Sequence, residues 1–388
     1  MKVLQIPNYM YPHIGGIEQV GRDIADALQD DPQIEQKIIC FNADASEKSY
    51  VCHQRETVHD FVDGVEVIRC GCEMKIRSQS ISTAYKKELR KVMNQFQPDV
   101  VIFHYPNPYV TTFLKKYYKR KCKLIVYWHL DIIKQKILGK LFHKQNIKLL
   151  ERADQIVATS PNYIDGSPYL SRFREKCIVI PNCIRTERLQ KNSQTEWRTA
   201  EIRRLYKSKI LCFGMGRHVP YKGYEYLIQA SKYLDDRFRI CIAGQGPLTD
   251  GLKKMAAGDK KIVFLGRISD EEMIAYNSAC DIFCFPSITK NEAFGIALAE
   301  GMYFGHPAVT FTIPGSGVNF VNMNGVTGIE AQNKDVKEYA NALMKLADDA
   351  DLREKYGRMG RKRVEDKFLF DRFQRKICNV VCCDKVKK

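Results

Sequence analysis

Short apolar runs alternate with amphipathic stretches along almost the whole chain. "KVLQI" (2–6) reads as a strand. "GGIEQVGRDIADALQD" follows, with Ile17, Val20, Ile24 and Leu28 at helical spacing. "IEQKIICFNA", "VEVIRC", "DVVIFHYP", "CKLIVYWHLD", "ADQIVATS" and "CIVIPNCI" continue the series of strands, and "AYKKELRKVMNQFQ" is a helix stopped before Pro98. Near-continuous runs rich in β-branched residues, separated by helices, predict a parallel sheet buried on both faces. Residues 188–206 are polar and carry no strand signal, so they read as a linker. The alternation then restarts with "SKILCFGMG", "FRICIAG", "KIVFLG", "CDIFCFPS" and "PAVTF", again with helices between. The expectation is α/β, with two doubly wound domains: residues 1–190 and 191–367, with a helical, basic stretch from about 352 to 388. Ligands of such sheets bind beyond the carboxyl ends of the strands, so the loops there are where chemistry belongs.

A chain of 388 residues is long enough for two cores, and its balance of 45% hydrophobic and 28% charged residues is that of a globular protein. No apolar run approaches the ~20 residues of a membrane-spanning helix. The N-terminus lacks a secretory signal's long apolar core, so the expected place is the cytosol. Fourteen cysteines are scattered without C-x-x-C or zinc spacing, and read as small buried apolar residues in a reducing compartment. Charge alters the picture more. The net charge is +17, and residues 75–152 hold 18 Lys and Arg against four acids, a net of +14. A basic face of this kind suits phosphates on nucleic acid or on anionic lipid, and is otherwise a solubilising surface.

Several loops could carry chemistry. Gly15–Gly16 lies between the first strand and first helix, where bare backbone N–H groups can approach a phosphate; the alternative is a tight turn needing positive φ. "GMGRHVPYKGYEYLI" places Gly216, Arg217 and Lys222 after a strand and before a helix, a setting that suits a diphosphate or is merely a solvated loop. His129 ends a strand, as a polar contact or a structural histidine. In "NEAFGIALAEGM" (291–302), Glu292 precedes a helix start whose N–H groups at 294–296 offer a phosphate seat, and Glu300 sits in the second turn. Asp349-Ala350-Asp351 looks like a metal motif but is better read as helix capping. The G-x-G-x-x-G and G-x-x-x-x-G-K-[ST] signatures are missing, which argues against a dinucleotide oxidoreductase and a P-loop NTPase.

In this order, Gly15–Gly16, Arg217, Lys222 and Glu292-x7-Glu300 with Phe294-Gly295-Ile296 resemble the retaining glycosyltransferases of family 4, which have the GT-B fold. "YWHLDIIKQK" and "ADQIVATSPNYIDGSPYL" are similar to the branch that builds O-antigen, capsule and exopolysaccharide repeats. The resemblance implies two Rossmann-like domains facing across a cleft, with the last helix (368–388) crossing back to the first. It implies transfer of a hexose, mannose from GDP-mannose, or another hexose from a UDP-sugar, to a polyprenyl-diphosphate-linked saccharide; a soluble acceptor is the alternative. It implies no cofactor and no metal, because Arg217 and Lys222 would neutralise the leaving diphosphate. Gly15, Gly16, Gly216 and the N–H groups of Phe294, Gly295 and Ile296 would complete the phosphate cradle. Glu292 would hold donor-sugar hydroxyls, Glu300 the ribose, and His129 the sugar near its anomeric carbon. Gly266, Arg267 and Ile268 would meet the base. No residue stands out as a covalent nucleophile, so front-face attack is expected. An anionic membrane surface is the implied partner of the basic stretch, through "KQKILGKLFHKQNIKLLER" with Ile137, Leu138, Leu141, Ile147 and Leu150. Nucleic acid is not expected as a partner, since no binding signature accompanies the charge.

Overall fold

The computed structural model describes residues 1–13, 15–43, 50–76, 79–117, 121–132 and 136–383, except the side chains of 136–141. The chain forms two compact units. The first comprises Met1–Thr159, Ser167–Ile180 and Asp371–Lys388; the second comprises Ser160–Gly166 and Pro181–Phe370. The chain therefore changes unit at 159/160, 166/167, 180/181 and 370/371.

In the first unit the strands are β1 (Lys2–Ile6), β2 (Glu35–Phe41), β3 (Val58–Val62), β4 (Val65–Cys70), the small pair β5 (Met74–Ile76) and β6 (Gln79–Ile81), β7 (Val100–Tyr105), β8 (Lys123–Trp128), β9 (Gln155–Ala158) and β10 (Cys177–Val179). The main sheet has the order β10-β9-β8-β7-β1-β2-β4-β3. It is parallel except for β3, on which β4 returns antiparallel after the turn at Asp63-Gly64. Every residue of β7 and β8 is buried, as the unbroken apolar runs predict. The order reverses between β1 and β7, which makes that edge the switch point of this sheet. The terminal helix Phe370–Cys382 packs on this unit. It buries Phe373, Ile377 and Val381, its Gln374 donates to Asp30 at 2.7 Å, and Lys123 Nζ caps its end at the Val380 and Cys383 carbonyls.

The second unit holds β11 (Ile210–Met215), β12 (Phe238–Ala243), β13 (Ile262–Gly266), β14 (Ile282–Phe285), β15 (Ala308–Phe311) and β16 (Gly328–Ala331) in the all-parallel order β13-β12-β11-β14-β15-β16. Here the switch lies between β11 and β14. The expected linker is a helix instead, Ser193–Leu205, opened by a capping box at Asn192 and Thr195. It lies on the helix Asp270–Ala279, and Arg198 clasps Glu272 at 2.5 Å. Polar contacts hold it in place of a broad apolar face, since only Thr195 and Ile202 are buried. Asp349 accepts from the Leu352 N–H at 2.8 Å and caps the helix Ala350–Lys367, as expected of this D-x-D. All fourteen cysteines are free, and most are buried.

Candidate active site

In the second unit the loops beyond β11, β12 and β13 are laced together by backbone hydrogen bonds. The N–H of Gly216 donates to Ala243, that of Gly244 to Gly266, that of His218 to Gln245, and that of Leu248 to His218, at 2.7–3.1 Å. A Cβ on Gly244 would fall 2.0 Å from the Gly216 carbonyl, so only glycine permits this approach. The chain then makes a tight turn at Pro220–Lys222. Gly223 follows in the left-handed region (φ 66°), where a Cβ would strike the Pro286 carbonyl at 2.1 Å. The turn is thereby pressed onto the loop after β14, and the Ile288 N–H donates to Tyr221 at 2.9 Å.

This packing brings Lys222 to Glu292: Nζ lies 2.5 Å from the carboxylate, and the two side chains are only 13% and 12% exposed. Burial works against the Lys222 charge, but Glu292 and Tyr221 outweigh it and raise the pKa. The Glu292 carboxylate also accepts from Ser287 Oγ at 3.2 Å, and its backbone carbonyl accepts from Ser316 Oγ at 2.5 Å. Lys222 Nζ stands 4.8 Å from the Phe285 ring centre, and a Cβ on Gly216 would lie 3.7 Å from that same Nζ. Bare backbone, a cation and a carboxylate thus meet at the switch point of the sheet. Arg217 and Arg267 are exposed and have no carboxylate partner among the described residues.

The helix after Glu292 is Ile296–Tyr303, one residue pair later than expected. Gly295 precedes it in the left-handed region (φ 96°) with no side-chain cap. The first intrahelical bond runs from Ala299 to Gly295, so the free N–H groups are those of 296–298 rather than 294–296. The Phe294 ring is buried, edge-on to Phe368 at 5.2 Å, and packs the core. Only its backbone is left to face a ligand. Ile296 is half-buried against the same core. Glu300 is 8% exposed and has no hydrogen-bond partner among the described residues. Burial pushes its carboxyl up to about 7, against the pull of Arg188 and helped by Asp270. An enclosed acceptor without a donor is a site for hydroxyls.

The remaining candidates belong to the first unit. Gly15 caps the helix Gly16–Gln29 with extended backbone (φ −163°), so the pair is not there to supply a positive φ; a Cβ on Gly16 would meet nothing within 4 Å. His129 follows β8, and its N–H donates to the Tyr105 carbonyl at 3.0 Å. The ring is buried, stacked on Tyr127 and His104, and its Nε2 lies 2.9 Å from His104 Nδ1. Burial, and then His104, hold its pKa well below the ordinary value. Asp131 is tied to Trp128 Nε1 and Ser167 Oγ at 3.0 and 2.8 Å.

Sequence reasoning missed His104, which sits mid-strand and reads as filler, and the Gln245 loop, whose signal was the pair Gly244 and Gly246. Ser287 and Ser316 carried no signal. Of the interfacial helix, the side chains of Ile137, Leu138 and Leu141 lie outside the described residues; Leu150 is buried and Ile147 half-buried.

Residues 14–188 match the model for Glycosyltransferase Family 4, and residues 195–363 that for Glycosyl transferases group 1. The chain is 29% identical over 374 residues to O-antigen chain mannosyltransferase C of Escherichia coli, covering 96% of this chain and 95% of that one. It is 31% identical over 314 residues to D-rhamnosyltransferase WbpZ of Pseudomonas aeruginosa, covering 79% and 78%. The structure superposes on Anabaena HepE, solved in complex with UDP, with a TM-score of 0.76 at 16% identity, covering 98% of this chain and all of that one. The chain belongs to the family 4-type glycosyltransferases of GT-B fold, on the O-antigen side of that family. It is an enzyme of the transferase class.

Proposed function

We propose that this enzyme moves mannose from GDP-mannose, with retention of configuration, to a lipid-linked glycan during assembly of a bacterial surface polysaccharide. The observation that carries the chemistry is the meeting of Gly216, Lys222 and Glu292 at the β11/β14 switch point, with Arg217 in the same loop. A diphosphate seated there takes Lys222 and Arg217 as counter-charges, which stabilise the leaving group as the glycosidic bond breaks without calling on a metal or other cofactor. Glu292 then turns its carboxylate to the sugar hydroxyls. The N–H groups at 296–298 complete the phosphate contacts, Glu300 accepts the ribose hydroxyls, and residues 266–268 meet the base. The choice of mannose rests on similarity to the E. coli mannosyltransferase. Calorimetry of GDP-mannose against the UDP-hexoses tests it; tighter binding of a UDP-hexose transfers the assignment to that donor. Failure to transfer any GDP- or UDP-linked sugar with the membrane acceptor supplied overturns the reading.

The same reading makes an anionic membrane the cytoplasmic docking surface. Its support is a cavity of about 210 Å³ in the first unit, between the helix Thr83–Gln95 and the segment Pro108–Tyr117. Lys86, Lys87, Arg90 and Lys116 line it beside Phe113 and Tyr117, and none of the four cations has a carboxylate partner among the described residues. Unpaired cations around apolar rings suit a phosphorylated headgroup.

A further inference from the structure

Three residues from three neighbouring strand paths form a buried chain in the first unit. Gln5 on β1 places Oε1 2.8 Å from His104 Nε2, and His104 on β7 places Nδ1 2.9 Å from His129 Nε2, just beyond β8. Gln5 and His104 are each 1% exposed, and His129 is 4% exposed. The helix Gly16–Gln29 closes over them at Gly21, where a Cβ would lie 3.6 Å from Gln5 Oε1 and 3.9 Å from His104 Cε1. Tyr127 stacks on both imidazoles.

The Gln5 amide turns its oxygen, not its nitrogen, to His104. An amide oxygen only accepts, so His104 Nε2 carries the proton. A neutral His104 then has a bare Nδ1, which accepts from His129 Nε2–H. His129 is left with a bare Nδ1, which has no partner among the described residues. We propose that Gln5 and His104 are positioning residues: they fix His129 as the Nε2–H tautomer, and so present Nδ1 as an acceptor to a hydroxyl of the sugar being transferred. This rests on the reading of His129 as the group that meets that sugar. A histidine whose other nitrogen is fixed by a partner keeps one tautomer and one ring orientation.

The test uses the whole protein labelled with ¹⁵N-histidine. The His129 resonances, assigned by their loss in His129→Ala, should show a protonated Nε2 and an unprotonated Nδ1 at neutral pH. Gln5→Leu should mix the tautomers and lower kcat for transfer from GDP-mannose by about 10–100-fold, the range typical of an outer partner's loss, with the donor KM within about twofold. Gln5→Glu, which still accepts from His104 Nε2, should restore the single tautomer and most of kcat. A protonated Nδ1 on His129 in the wild type overturns the proposal. So does a Gln5→Leu enzyme with unchanged tautomer or unchanged kcat, or a Gln5→Glu enzyme that restores neither. The reading of His129 itself is separate: it fails if His129→Ala turns over normally, whatever its tautomer.

Discussion

Lys222 and Glu292 depend on each other for stability as well as for the proposed chemistry. At 2.5 Å and barely exposed, each is the counter-charge that lets the other be buried. Removing one partner strands the other, which costs about 3 kcal/mol or more. Lys222→Ala and Glu292→Ala should therefore each lower stability to urea and also cut turnover by about 100-fold or more. Lys222→Met combined with Glu292→Gln should regain much of the stability and none of the turnover. If the double variant is as unstable as the sum of the singles, the pair does not act as a unit. Glu300 gives a second prediction. Its pKa rises from 4.5 to about 7 in the folded protein, so the folded state holds a proton that the unfolded state has released. The stability this confers is complete below about 4.5 and is lost as pH rises through 7, about 3 kcal/mol at ~1.4 kcal/mol per unit. Glu300→Gln escapes that loss. Its stability relative to the wild type should climb between about pH 5 and 8 while its nucleotide affinity falls. Nucleotide binding to the wild type near pH 6.5 should release a proton, because ribose hydroxyls favour the carboxylate. Calorimetry in buffers of different ionisation enthalpy measures it, and uptake in place of release would refute the ribose role.

At the scale of elements, the site depends on glycines that let loops touch. Gly223→Ala forces a left-handed residue to carry a Cβ into the Pro286 carbonyl. The φ penalty alone is about 1–2 kcal/mol, and moving the loop adds to it. The variant should be less stable in urea and bind nucleotide more weakly, since the turn carrying Lys222 lifts away from the loop carrying Glu292. Normal affinity would show that this loop contact does not hold the site. Such contacts also explain what could be read beforehand. The strands of both units other than β3, β5, β6 and β16, and the loops bearing Gly216, Arg217, Lys222 and Glu292, follow from apolar periodicity and strand-to-helix breaks, because buried parallel strands have a distinctive composition. The helix Ser193–Leu205 was hidden because it is held by a capping box and by Arg198–Glu272 rather than by an apolar face. The helix start was placed early, at 294–296, because the left-handed Gly295 that ends the loop cannot be told in sequence from a first helical residue. His104 was invisible because its meaning lies in Gln5 and His129, 99 and 25 residues away.

For the whole molecule, the uneven charge is the feature that no single site explains. None of the described helices is long and apolar enough to cross a membrane. The proposed anionic docking surface is the cavity lined by Lys86, Lys87, Arg90 and Lys116 in the first unit. Each cation near an anionic surface is worth about 1 kcal/mol. Replacing the four with alanine should weaken co-sedimentation with phosphatidylserine- or phosphatidylglycerol-containing vesicles by about 2–4 kcal/mol. Binding by the wild type should also fall as salt rises from about 0.01 to 0.15 M, where the Debye length shrinks from about 30 to 8 Å. Turnover of a nucleotide sugar in detergent, with acceptor in excess, should change little in that variant, because none of the four is among the residues proposed to contact the donor. Equal binding to neutral and anionic vesicles would dismiss an electrostatic surface. Salt-sensitive binding undiminished in the variant would move the contact to the other cations of residues 75–152.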